Sequence, residues 1–228
     1  MSLNVGATFN IGCASGPSVQ QGEAMLIWAG QSRQEGKGIY MLTGLSPQRI
    51  SVPWVDKYLD TSSLNSVRSV LFKYQGHTLY FITLHDIGQT FVYDVEHQFW
   101  SIWTTTVQVA NDSMGQPTIA TETYFRPAFY SAWGNNILLM DDDTSALYVL
   151  SEFAYSDVGY ACITVRAVTE YDDFKTSDKK RFLALELVGD KINTNVYVNH
   201  TESDYTGFSL FRPVNLSNSR SRILNCGV

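Results

Sequence analysis

Between Ser69 and Trp103 the chain reads SVLFKYQGHTLYFITLHDIGQTFVYDVEHQFWSIW, a series of short apolar runs punctuated by turn residues. The runs are Ser69 to Tyr74, His77 to Leu84, Thr90 to Val95 and Phe99 to Trp103; Gly76, the Asp86/Gly88 pair and a polar stretch separate them. This spacing predicts a four-stranded antiparallel meander. Successive strand side chains point to opposite sides, so Leu79, Phe81 and Thr83 share one face while Tyr80, Ile82 and Leu84 share the other. Both faces are apolar. A meander of this kind cannot stand alone, because it would leave apolar surface and two strand edges in water. It must lie between neighbours. Its end, Tyr93-Asp94, an acidic tight turn, then Phe99, Trp100 and Trp103, has the pattern of a propeller blade locking onto the next.

The remaining segments extend the same reading. Residues 1–22 are rich in Gly, Ser, Asn and Gln and predict a loop or remnant strand, with a weak strand signal at Ala7 to Ile11. Glu23 to Ala29 and Ile39 to Thr43 form a hairpin across a polar glycine turn. Val52 to Leu59 is the one convincing helix: Pro53 suits a first turn, and Trp54, Val55, Tyr58 and Leu59 recur at helical spacing. Thr104 to Thr123 predicts a long loop or a loosely held hairpin. Tyr124 to Trp133, Ile137 to Met140 and Ala146 to Leu150 make a second meander with an acidic turn at Asp141 to Ser145. Matching Tyr93 to Tyr148 gives a repeat of about 55 residues, close to the roughly 40–50 of propeller blades once the long loop is allowed. Beyond Gly159, Cys162 to Val168 and Arg181 to Val188 alternate as strands, and Asn195 to Asn199 is expected to pair back on the latter. Phe208 to Phe211 and Ser221 to Cys226 would complete that sheet. The expected division is a loop at 1–22, propeller-like blades over 23–158, and a further antiparallel sheet over 159–228 in the same domain or a small second one.

Composition narrows the function classes. The 228 residues include 13 Tyr, 12 Phe and 5 Trp, which favour strands, and 44% hydrophobic against 17% charged residues describes an ordered protein. A net charge of −6 opposes any sequence-independent grip on DNA or RNA. Cys13, Cys162 and Cys226 are scattered and odd in number, giving neither a disulfide framework nor a CxxC metal site. No apolar run approaches the roughly 18 residues of a membrane span. With no basic-then-apolar leader, folding in a cytoplasm is expected.

Three stretches, LTGLSPQRIS from Leu42 to Ser51, Tyr74 to Trp103, and DKKRFLALEL from Asp178 to Leu187, form an ordered series. The series resembles the tail hub proteins of short-tailed phages, known as packaged-DNA stabilisation proteins. Its most specific pieces are G-x-x-P-x-R-I-S, with Pro47, Arg49 and Ile50, and G-H-x-x-Y, with Gly76, His77 and Tyr80, followed by Tyr93, Asp94 and Trp100. Arg181 carries the fainter third piece. The resemblance implies a virion protein, assembled in the host cytoplasm, that forms a homo-oligomeric ring below the portal or adaptor ring among other tail proteins. Such a ring seals the head after packaging and later passes DNA without binding it specifically. It implies no enzyme activity, cofactor or membrane partner.

Candidate chemistry is sparse. His77, His85, Asp86, Asp94 and His97 concentrate titratable groups, but their spacing matches no ligand motif, and histidines satisfied in turns are the expected arrangement, with no metal site. Asp141-Asp142-Asp143 lacks the Gly and Glu of a calcium loop and predicts an acidic turn. Asp204, with Gly207 and Phe208, is one residue too long for the Asp-turn of sialidase propellers. Trp28, Trp100 and Trp103 could present a sugar platform, but their place in apolar strands predicts packing between blades. The sequence therefore predicts an all-β fold of β-propeller-like antiparallel meanders, whole or incomplete, with one short helix and a structural tail-hub role. The alternative is a sialidase-like glycosidase or glycan-binding module.

Overall fold

The computed structural model describes residues 10–111, 117–134, 136–141, 143–151, 153–154, 163, 165–168, 184–188, 195–200, 209–217 and 220–224. The chain divides into two units, Met1–Val165 and Arg166–Val228. Its fold is all-β, made of antiparallel meanders of propeller type with one short α-helix among the described residues.

Among the described residues the first unit holds three sheets. In the first, β1 (Gly12–Cys13) and β2 (Gln20–Gln21) pair with β3 (Leu26–Ser32), which pairs with β4 (Gly36–Leu42) and through it with β5 (Pro47–Arg49). Helix α1 (Pro53–Thr61) follows. It begins on Pro53, whose missing N–H would have no partner in a first turn anyway. Val55 and Leu59, one helical turn apart, are fully buried, and Lys37 reaches from β4 to donate to the carbonyls of Leu59 at 3.1 Å and Ser62 at 2.5 Å. That cation satisfies the free carbonyl end and complements the helix dipole.

The second sheet runs β6 (Val67–Tyr74), β7 (His77–Leu84), β8 (Gln89–Asp94), β9 (Phe99–Asn111) and β10 (Pro117–Tyr124), each beside the next. The β6–β7 turn is only Gln75-Gly76, with φ of 50° and 87°, the left-handed pair a two-residue hairpin demands. The stretch expected as a long loop, Thr104 to Thr123, is instead the long β9–β10 hairpin, paired from Asn111↔Pro117 down to Thr104↔Tyr124. Its polar sequence misleads because the ladder is made by the backbone, with one β-branched pair, Thr105 opposite Thr123, near its base. The third sheet is β11 (Pro127–Trp133), β12 (Asn136–Asp141) and β13 (Leu147–Val149).

The second sheet is covered on both sides, as the alternation in β7 requires. Tyr80, Ile82, Leu84, Phe91, Tyr93 and Trp100 pack with Ile27 and Ile39 of the first sheet and with Val55 and Leu59 of α1. Val70, Phe72, Leu79, Phe81 and Val92 pack with Leu139, Ile137 and Tyr148 of the third. Phe81 stacks on Phe72 at 5.1 Å and meets Trp103 edge-on at 5.1 Å.

In the second unit, β14 (Ala184–Val188) pairs with β17 (Arg220–Leu224), and β15 (Asn195–His200) pairs with β16 (Ser209–Asn215). The hairpins are thus nested: β15 does not fold back onto β14 as expected but pairs with β16, over Asn195↔Asn215 to His200↔Ser209, while β14 takes β17. Val214 is buried against Val198, Leu187 and Leu216. Residues 165–168, expected within a strand from Cys162 to Val168, hold no strand, and Asp204, Gly207 and Phe208 lie outside the described residues. Among the described residues no helix is long and apolar enough to cross a membrane.

Phe81 is 1% exposed at the centre of the second contact layer. Phe81→Ala is expected to destabilise the fold by about 3–5 kcal/mol through lost burial and the cavity left behind, read from the denaturant midpoint in equilibrium unfolding.

Candidate functional site

Arg49, Ile50, Tyr80, Tyr93 and Trp100 gather where the first sheet, α1 and the second sheet meet. Arg49, at the end of β5, donates to the carbonyl of Lys37 at 2.8 Å and of Glu35 at 3.1 Å and pairs with Asp56 of α1 at 3.0 Å. Its guanidinium lies 6.0 Å from the centre of the Tyr40 ring. Room for it exists because position 38 is glycine: a Cβ there would lie 2.9 Å from Arg49 Nε. The flat, forked guanidinium can bind two carbonyls and a carboxylate together, which an ammonium cannot. Asp56 Oδ1 is buried without a hydrogen-bond partner, so the charge of Asp56 rests on Arg49.

Two further motif residues touch directly. Trp100 Nε1 donates to the carbonyl of Ile50 at 2.8 Å, tying β9 to the chain leaving β5. Tyr93 packs on Trp100 with ring centres 5.0 Å apart, and burial followed by the nearby Asp94 charge pushes its phenol above the usual range. Tyr80 is fully buried and donates from its hydroxyl to the carbonyl of Ser18 at 2.7 Å, while Ser18 Oγ accepts the N–H of Ala29. Pro47 opens β5 and Gly76 completes the β6–β7 turn. Arg181 lies outside the described residues.

A second set of contacts sits at the turns. Asp86, between β7 and β8, accepts from Ser62 Oγ at 2.8 Å, Ser63 N–H at 2.7 Å and Ser63 Oγ at 3.0 Å, joining the end of α1 to the second sheet. Partial burial alone would raise its carboxyl, but these donors outweigh it and hold the group below the ordinary range. At the end of β8, Asp94 Oδ1 accepts the N–H groups of Glu96 and His97 at 3.0 and 3.2 Å, while Oδ2 faces His77 Nδ1 at 2.7 Å and His97 Nδ1 at 3.0 Å. Burial again opposes ionisation of Asp94, yet the donors from His77 and His97 bring its carboxyl down to about 2. The donor atoms of His77, Asp94 and His97 lie within 4.8 Å of one another.

This turn recurs in the third sheet. At the end of β12, Asp141 Oδ1 accepts the N–H groups of Asp143 and Thr144 at 2.7 and 3.1 Å, and Ser145 has φ of 57° where Gln98 has 54°. One offset carries Asp94 to Asp141, His97 to Thr144 and Gln98 to Ser145. The expected match of Tyr93 to Tyr148 is therefore wrong: Tyr93 precedes its turn and Tyr148 follows the next one. Aromatic residues occupy either side of such a turn, whereas only the aspartate can accept its two backbone N–H groups.

Residues 2–153 match the family model described as Bacteriophage P22 Gp10, beta-propeller. The chain belongs to this phage stabilisation family. It is a phage structural protein with a β-propeller fold, a component of the virion, and its family points away from catalysis. No curated protein matches the chain. Arg49, Ile50, Tyr80, Tyr93 and Trp100, singled out in the sequence, act here as braces between sheets. Trp100 and Trp103 join the cores between sheets, as expected from their strands, whereas Trp28 packs on Tyr40 of its own sheet at 6.0 Å and not between blades. The sequence did not bring His77, Asp94 and His97 together, although hairpin counting could have: once Leu79 pairs with Asp94, His77 must sit beside the β8–β9 turn.

Arg49→Lys is expected to cost about 1–3 kcal/mol in chemical denaturation, since one ammonium cannot replace the fork and leaves Asp56 under-compensated. Adding Asp56→Asn should return part of that loss; a fully additive double variant would contradict the coupling.

Asp86 titrates below its unfolded value, so it stabilises the fold above the unfolded pKa of about 3.9 and loses that effect as pH falls through its lower folded value. Asp86→Asn should be less stable at neutral pH, by under about 1 kcal/mol because solvent screens an exposed carboxylate. The gap should close in unfolding curves taken at progressively lower pH.

Proposed function

We propose that the chain is a subunit of the phage tail hub or nozzle, closing the portal channel after DNA packaging and conducting DNA at ejection. In this reading it assembles as a homo-oligomeric ring against the portal or adaptor ring and other tail proteins. The observation that carries it is the match of residues 2–153 to the phage stabilisation family. Two physical features support it. Stacked sheets braced by Arg49, Trp100 and Asp86 suit a part that must hold its shape under load. A net charge of −6 keeps phosphates from adhering, as a conduit that must release DNA requires.

The test is mass in solution by light scattering over a concentration series, with negative-stain images of the same samples, alone and with the portal complex. Closed rings, or rings formed on adding portal, are expected. A chain that stays monomeric with portal present would sink the proposal, and a panel of glycan substrates would then decide for or against a sialidase-like or glycan-binding propeller.

A further inference from the structure

We propose that His77, Asp94 and His97 form a binding site for a divalent transition-metal ion of the zinc type. Each of the three residues offers a ligand atom, all within 4.8 Å of one another, with His77 Nδ1 and His97 Nδ1 at 2.7 and 3.0 Å from Asp94 Oδ2, and two imidazoles with one carboxylate form a donor set that suits zinc better than calcium or magnesium. Their placement belongs to the backbone and precedes any ion. His77 opens β7 directly after the Gln75-Gly76 turn, Asp94 closes β8 opposite Leu79 and Phe99, and the N–H of His97 is held by Asp94 Oδ1. The carboxylate divides its work: Oδ1 accepts two backbone N–H groups, and Oδ2 is turned to both rings. The rings lie 4.9 Å apart and 22° from parallel, with both Nδ1 atoms directed to that one oxygen.

Donors around a tetrahedral zinc stand about 3.3 Å apart, given zinc–nitrogen and zinc–oxygen lengths near 2.0–2.1 Å. The two nitrogen–oxygen separations of 2.7 and 3.0 Å need to open by about 0.3–0.6 Å to reach that spacing. His77 and His97 can move that far, with side chains 39% and 66% exposed, and this exposure leaves a coordination position facing solvent. The third sheet supplies an independent observation. There the equivalent turn aspartate, Asp141, has Arg126 Nη1 3.8 Å from its Oδ2, so the chain's own guanidinium supplies the positive charge. At Asp94 the same oxygen faces two imidazoles, which are metal ligands when neutral. A bound ion would tie the first residue of β7 to the β8–β9 turn.

The test uses the full chain, stripped with a chelator and titrated with zinc chloride by calorimetry, alongside thermal unfolding and the visible absorption of a cobalt-substituted sample. Saturable binding of one zinc per chain, a raised unfolding midpoint and tetrahedral cobalt bands are expected, with calcium and magnesium giving none of these. His97 is an exposed turn residue, so His97→Ala should keep its circular dichroism while losing about tenfold or more in zinc affinity. His77→Ala should do the same, and Cys13→Ser should bind as the parent does. Absence of saturable zinc binding by the parent, or binding unchanged in folded His77→Ala and His97→Ala, would overturn the proposal.

Discussion

Strand β7 has no solvent face: from Thr78 to Leu84 every side chain is buried, with Tyr80, Ile82 and Leu84 directed to one neighbour and Leu79 and Phe81 to the other. Burial of a large apolar side chain contributes about 1.5–3 kcal/mol, so a strand of this kind commits the chain to a stack. The first sheet and α1 cover one side and the third sheet the other. Neither contact layer survives without this central sheet. That is the physical content of a blade, a sheet whose stability is shared with those beside it.

Stacking alone leaves sheets free to slide, since apolar contact has little directional preference. Polar contacts at the sheet ends remove that freedom. Arg49 joins the β3–β4 turn to α1, Trp100 joins β9 to Ile50, Tyr80 joins β7 to Ser18, and Asp86 joins α1 to the β7–β8 turn. The Tyr80 and Trp100 bonds satisfy groups that would otherwise lack a partner away from water, so each costs more to break than its net gain suggests. A structural protein of a virion has use for such contacts, because they fix blade geometry.

The turn aspartates show how a repeat can persist while its side chains drift. Asp94 and Asp141 each spend one oxygen on two backbone N–H groups, and a left-handed residue, Gln98 or Ser145, then returns the chain to the next strand. The second oxygen is free to acquire different partners: two imidazoles in one sheet, a guanidinium in the other. The conserved part is geometric, which is why matching Tyr93 to Tyr148 on residue type set the repeat in the wrong register.

Local patterns decided much of the first unit. Alternation in His77–Leu84 set which side chains share a face, Gly76 set the tight turn, and Pro53 with the spacing of Val55 and Leu59 set the helix, because these depend on side-chain periodicity and backbone sterics within a few residues. The stretch around Pro47, Arg49 and Ile50 stood out in the sequence, though not the task of its arginine. What only the tertiary structure decided depends on partners distant in sequence. Backbone pairing, with Thr105 opposite Thr123, made a ladder from a stretch that reads as loop, and β15 chose β16 over the nearer β14. His77 met Asp94 and His97 through hairpin register alone. Strand pairing rewards a contact only after a loop has closed, so the free energy that selects each partner belongs to the assembled sheet and is absent from any local window of sequence.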